Sequence, residues 1–171
     1  MITLYLAGAI RDDHPEDISW REDLITRLTP VQGVSILNPV GNKTYNLMDG
    51  EWQVAGTPVT SHGIVTQDLW CVQRADIIVA NCTALSTGYP MIGTMIELGV
   101  AVGLGGKLIY TVIDPEFTGH ENKEMFALHP FLKEISSEVF GTLPEMAFFL
   151  TSHLHSLGGY RPRFGGYRGG I

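Results

Sequence analysis

The chain has 171 residues, 44% of them hydrophobic, which is enough for one globular domain with a sizeable core and too little for two. A formal charge of −7 excludes a general nucleic-acid binder, whose surface must be basic to meet phosphates, and favours small or neutral partners. No run approaches the length of a membrane span, and Ile2-Thr3-Leu4-Tyr5-Leu6 is too short and too poorly flanked for a signal peptide.

Ile2 to Ala7 is a near-continuous apolar run ending at Gly8, the pattern of a central strand buried on both faces. Gly8-Ala9-Ile10-Arg11 then leaves the strand's carboxyl end, where open α/β sheets bind their ligands. Asp17 is placed to cap a helix carrying Ile18, Leu24, Ile25 and Leu28, which stops before Pro30. A second strand is predicted over Val34 to Asn38. From Val40 to Gly63 no periodicity is sustained, and so long a loop with Tyr45, Trp52 and His62 reads as a substrate lid.

Thr60 or Ser61 starts a helix through Ile64, Leu69, Val72 and Arg74, with Asp68 in its middle. Asp76 to Asn81 is a third strand, Cys82 to Ile92 an irregular stretch, and Lys107 to Ile113 a fourth strand. Cys71 and Cys82 have no metal-ligand spacing and are expected as reduced core thiols of a cytoplasmic protein. Beyond Pro115 come a polar loop, a short helical piece around Phe131 to Ile135, an edge strand at Glu138-Val139-Phe140, and a last helix with Pro144 in its first turn. His153 and His155 point to different faces of that helix and make a poor metal pair. The division expected is a domain over residues 1–157 and a Gly/Arg/aromatic tail over 158–171, better suited to docking on a neighbouring subunit than to binding RNA. Strands alternating with helices predict a three-layer α/β sandwich on a parallel sheet.

Gly93-Thr94-Met95-Ile96-Glu97-Leu98-Gly99-Val100-Ala101 sets one acid inside a glycine-rich apolar segment, and a helix over 95–104 is predicted to bury most of its surface. A carboxylate is costly to desolvate there unless something holds it. A first-turn amide would serve a structural Glu97; small Gly93 and Gly99, which admit close approach by backbone or ligand, point to a functional one. Tyr5 with the Gly8 loop, Asp68, the loop after Asn81, and Glu97 all converge on the carboxyl edge of such a sheet. Two carboxylates are the equipment for splitting a glycosidic bond, one attacking or supporting the oxocarbenium-like carbon and the other handling the leaving group's proton.

These residues resemble the nucleoside 2-deoxyribosyltransferases and their relatives that hydrolyse nucleoside 5′-phosphates. The resemblance rests on Tyr5-Leu6-Ala7-Gly8-Ala9-Ile10, on Asp68 followed by Ala75-Asp76-Ile77-Ile78-Val79-Ala80, and on Gly93 to Ala101, within residues 1 to 113. It implies a flavodoxin/Rossmann-like five-stranded fold, a homo-oligomer with active sites completed by a neighbouring subunit, and no metal or organic cofactor. By position, Glu97 corresponds to the nucleophile that forms a deoxyribosyl-enzyme ester, Tyr5 to the hydroxyl that orients it, and Asp68 to the acid that assists the base's departure and return. Gly8, Ala9, Ile10, Asn81, Met91 and Gly93 fall at substrate-binding positions.

Met91 stands where the transferases usually carry Asp and the nucleotide hydrolases Ser, which leaves open what meets the sugar or phosphate there. Asp12 and Asp13 stand where the hydrolases' phosphate loop has glycines, and two negative charges repel a phosphate. Free nucleosides are therefore expected, although Gly88 with the hydroxyls of Ser86 and Thr87 offers a weak anion site. The expected function is exchange of the base on a 2′-deoxynucleoside. The alternatives are an N-glycosidase that uses water as acceptor and, from a different class, a non-catalytic nucleotide sensor.

Overall fold

The computed structural model describes residues 1–11, 14–41, 43–46, 51–54, 57–114 and 130–157, with 43–46, 51–54, 57–58 and 86 described by backbone alone. Strand β1 (Ile2–Gly8) runs parallel to β2 (Val34–Leu37) on one side. Three short strands, β3 (Lys43–Asn46), β4 (Glu51–Val54) and β5 (Thr57–Pro58), form an antiparallel sheet of their own. On its other side β1 pairs with β6 (Ile77–Asn81), followed by β7 (Leu108–Val112) and β8 (Glu138–Phe140). The main sheet thus has the order β2-β1-β6-β7-β8 with every pair parallel, the flavodoxin-like winding.

Side chains alternate across this sheet and build a core on each face. Tyr5, Ala7, Ile78 and Ala80 pack under α2 (Ser61–Arg74) and α3 (Ile92–Leu104), which contribute Cys71, Val72, Leu98 and Ala101. Leu4, Leu6, Ile77, Val79, Tyr110 and Val112 face α1 (Glu16–Leu28) and α5 (Leu143–Leu157), which supply Trp20, Leu24, Leu28, Met146, Leu150 and Leu154. Leu132 of the short α4 (Pro130–Ile135) joins the first core. Cys71 and Cys82 are buried thiols outside any disulfide, as expected of core residues.

The sequence reading needs correction at three places. Residues 40–63 are not a structureless loop: β3, β4 and β5 form a meander with Tyr45 opposite Trp52 in register, from strands of four, four and two residues that are too short to display alternation. Asp17 does not cap α1. Pro15 occupies the cap position without a side-chain hydrogen bond, Asp17 is buried one residue into the helix, and Ile18 faces outward. Helix α3 begins at Ile92 and buries only Thr94, Leu98 and Ala101, while Ile92, Ile96 and Leu104 are each more than half exposed. It lies in an outer layer, so the sheet and α2 cover only one stripe of it. Thr60, by contrast, caps α2 as read, its Oγ1 accepting from the Gly63 amide at 3.1 Å.

Ile78, fully buried in β6 between both flanking strands, tests the core that carries the site. Ile78→Ala is expected to cost about 2–5 kcal/mol and to lower the thermal midpoint by about 5–15 °C in calorimetry. A shift below about 2 °C would mean the sheet can close around the missing methyls.

Candidate active site

The winding reverses between β1 and β6, leaving a crevice at the carboxyl ends of these strands where no crossover passes. Tyr5 lies on the α2/α3 face of β1 with no solvent exposure. Its Oη donates a hydrogen bond to Glu97 Oε1 at 2.7 Å, joining a strand and a helix that are 92 positions apart in the chain. Glu97 is half-buried because it sits one turn from both Thr94 and Ala101 on the covered stripe of α3. Burial, then the charge of Glu97, then that of Asp68 push the Tyr5 phenol far above its ordinary range. Tyr5 is therefore a fixed donor whose proton is aimed at Glu97.

Above this pair opens a cavity of about 210 Å³. Gly8, Ala9 and Ile10 form one wall, Asp68 of α2 another, and Met91, Ile92, Gly93, Thr94 and Glu97 the head of α3. Of the residues selected from the sequence, the structure brings together Glu97, Asp68, Gly8, Ala9, Ile10, Met91 and Gly93 around this cavity, with Tyr5 beneath. Met91 holds a left-handed backbone at φ 43° and is almost wholly buried, so its side chain belongs to the wall rather than to solvent.

Asn81 is placed elsewhere. Its Oδ1 accepts from the Thr83 amide at 3.0 Å, and it borders a separate small void with Arg11, Asp17 and Trp20. The suggested anion site is also engaged in local structure: Thr87 Oγ1 donates to the Ala84 carbonyl at 2.7 Å and the Gly88 amide to that of Leu85 at 3.0 Å, closing a 3-10 turn over Thr83–Thr87. Asp12, Asp13 and the tail from residue 158 lie outside the described residues.

Tyr89, Ile92 and Thr94 line the cavity and were not selected from the sequence. The signal for Tyr89 was the following Pro90, which biases it towards extended backbone just before the helix. Arg11 donates through Nε and Nη2 to the two carboxylate oxygens of Asp17 at 2.7 and 2.9 Å, and its guanidinium lies 5.1 Å from the Tyr89 ring centroid. This fork-on-carboxylate pair engages the Arg11 cation, and the Tyr89 contact holds the loop after β1 against the loop before α3. A wider depression of about 580 Å³ lies between α1 and the head of α5. Its Asp114 and Thr142 are engaged as acceptors for the Leu143 and Glu145 amides at the start of that helix.

The family description "nucleoside 2-deoxyribosyltransferase like" matches residues 1–115, which include every residue that lines the cavity. The chain belongs to that family. This deoxyribosyltransferase-like chain shares its fold with a conserved protein from Enterococcus faecalis at TM-score 0.62 and 16% identity, covering 90% of this chain and 99% of the other. It likewise superposes on a 2-deoxyribosyltransferase from Leishmania mexicana, at TM-score 0.60 and 20% identity over 90% of this chain and 99% of that one. The CMP N-glycosidase BcmB of Clostridium botulinum has the fold too, at TM-score 0.53 and 17% identity over 88% and 98%. Comparison with curated protein sequences gives no match.

The shifted phenol gives a direct test of the Tyr5–Glu97 contact. Tyr5 is neutral in the folded chain at pH values where an unfolded tyrosine, near pH 10, ionises; its contribution to stability is complete below about pH 10 and is lost as pH rises beyond it. Ultraviolet titration of the folded protein to about pH 11 should therefore show the same ionising amplitude in wild type and Tyr5→Phe, and wild type should lose stability more steeply with alkali. An amplitude smaller by one tyrosine in the variant would show that Tyr5 titrates normally.

Proposed function

We propose that this protein cleaves the N-glycosidic bond of 2′-deoxynucleosides through an ester on Glu97 and transfers the sugar to another base. The observation that carries the reading is the 2.7 Å hydrogen bond from Tyr5 Oη to Glu97 Oε1 at the floor of a cavity that Asp68 also lines. A carboxylate held by one oxygen keeps its direction towards a sugar carbon above it. Attack on C1′ forms the ester as the bond to the base nitrogen breaks, and the departing pair of electrons takes a proton from Asp68. A second base attacks C1′, releases Glu97 as carboxylate and returns a proton to Asp68. Met91, Ile92 and Gly93 give the site one weakly polar wall, suited to a ring rather than to bulk water.

Water as acceptor turns the same first half-reaction into hydrolysis. The fold shared with a CMP N-glycosidase keeps this as the second reading. A sensor that only binds has no use for an oriented nucleophile. The exposed Ile92 and Ile96 beside the cavity support a neighbouring copy covering its open side, so we place the working enzyme as a homo-oligomer.

Incubation with deoxyinosine and adenine should yield deoxyadenosine by chromatography; free deoxyribose in its place assigns hydrolysis, and neither product assigns a binding protein. Glu97→Ala should abolish turnover while keeping the fold. Activity within about tenfold of wild type, a barrier change of only about 1.4 kcal/mol, removes Glu97 as nucleophile.

Substrate charge follows from the same geometry. Among the described residues the cavity wall holds two acids and no cation, and Arg11 is engaged by Asp17. A like-charge pair about 4 Å apart costs on the order of 4 kcal/mol at an effective dielectric near 20, before screening. Deoxynucleosides should therefore be used at least about tenfold better than their 5′-monophosphates, comparing kcat/KM at low salt. Equal or better use of the monophosphate would move the function to nucleotide hydrolysis.

A further inference from the structure

Arg21 lies on α1, on the opposite face of the sheet from Glu97, and has no solvent exposure. Neither the proposed chemistry nor the three motifs that carry the resemblance use it. A guanidinium withdrawn from water is tolerated only where its donors are met. Here Nη2 donates to the Gly8 carbonyl at 2.9 Å, Nη1 to those of Ala9 at 3.3 Å and of Asp17, and Nε to that of Leu6 at 3.5 Å. The Trp20 ring centroid lies 4.6 Å from the guanidinium carbon. Burial lowers the Arg21 pKa to about 10, which leaves it charged at neutral pH.

Two of these acceptors belong to Gly8 and Ala9, which form the cavity wall on the other side. A trans peptide points its C=O and N–H in opposite directions, and the described chain has no cis peptide. Drawing the Gly8 and Ala9 carbonyls towards Arg21 thus turns the amides of Ala9 and Ile10 away from it. Outside the sheet ladder, whose last rung pairs Gly8 with Asn81, neither amide meets a backbone carbonyl among the described residues. Gly8 itself fits the arrangement: a Cβ there would lie 3.1 Å from Trp20 Cζ2 and 3.2 Å from both Arg21 Nη2 and the Asn81 carbonyl. The guanidinium comes this close because residue 8 has no side chain.

We propose that Arg21 is a positioning residue for substrate binding, fixing the loop after β1 so that the Ala9 and Ile10 amides meet oxygens of the sugar. The inference rests on the nucleoside reading above. Arg21 touches neither substrate nor Glu97; it acts through the two peptides, and its charge behind them reinforces their dipoles. Lysine, with a point charge in place of the planar fork, cannot hold several carbonyls in the same geometry.

The test uses the full chain. In Arg21→Gln the KM for 2′-deoxyinosine should rise by about tenfold or more with kcat within about threefold, because Tyr5, Glu97 and Asp68 are untouched. Arg21→Lys should fall between this variant and wild type. In the ligand-free protein, NMR relaxation should show lower order parameters for the Ala9 and Ile10 amides of Arg21→Gln and unchanged values for Leu6 and Val79. Unchanged KM, a fall confined to kcat, or loop amides as ordered as in wild type would overturn the proposal. Should Arg21→Gln not fold, adding 2′-deoxyinosine to Glu97→Ala must shift the Ala9 and Ile10 amide resonances, and still resonances overturn it. Wild type that neither binds nor turns over 2′-deoxyinosine refutes the nucleoside reading instead, a result that the ligand-free relaxation measurement does not depend on.

Discussion

The reversal of winding between β1 and β6 is the constraint from which the site follows. Because the chain leaves β1 towards β2 and returns on the other side to β6, the ends of these neighbouring strands are not bridged by the same crossover. Whatever fills the opening must come from loops and from helix ends. The loop after β1 and the head of α3 do so, and Tyr5, in the middle of β1, reaches the second turn of that helix. A rigid strand and a helix, rather than two loops, thereby fix the distance between hydroxyl and carboxylate.

Charge is separated across the end of β1. Glu97 and Asp68 stand on one face, Arg21 on the other, and the field of these acids reaches both the Tyr5 phenol and the Arg21 guanidinium. In a partly dry interior such opposed charges interact more strongly than at the surface. Arg11 and Asp17 form a second, outer pair, so each of the two arginines nearest the loop is already satisfied by the fold.

The sheet was legible in the sequence because its strands are nearly all apolar, and Glu97 was legible because one acid in an apolar glycine-rich helix demands a partner. The meander at residues 43–58 was not, since its strands are shorter than the window in which alternation can be seen. Asn81 misled because the end of a central strand faces the crevice, whereas a short amide side chain readily turns onto the backbone two residues ahead. The most informative miss is α1. Its covered stripe is Asp17, Trp20, Arg21, Leu24 and Leu28, at steps of three, one, three and four, yet the apolar Ile18 and Ile25 drew the reading to one side of it. A polar pair at core spacing was the signal, and it pointed to the loop that the helix holds.

Met91 has a consequence for how this chain can vary. Left-handed backbone costs an L-residue with a Cβ about 1–2 kcal/mol, and glycine or asparagine would carry that conformation more comfortably. A bulky thioether persists at a place where the main chain would prefer almost nothing. Its side chain is nearly sealed from solvent in the cavity wall, so it occupies volume that a glycine would leave empty. At residue 91 two costs therefore oppose each other: a glycine would release about 1–2 kcal/mol of backbone strain but would empty a buried site at a cost of about 2–5 kcal/mol, so the strain is tolerated because the side chain fills the wall.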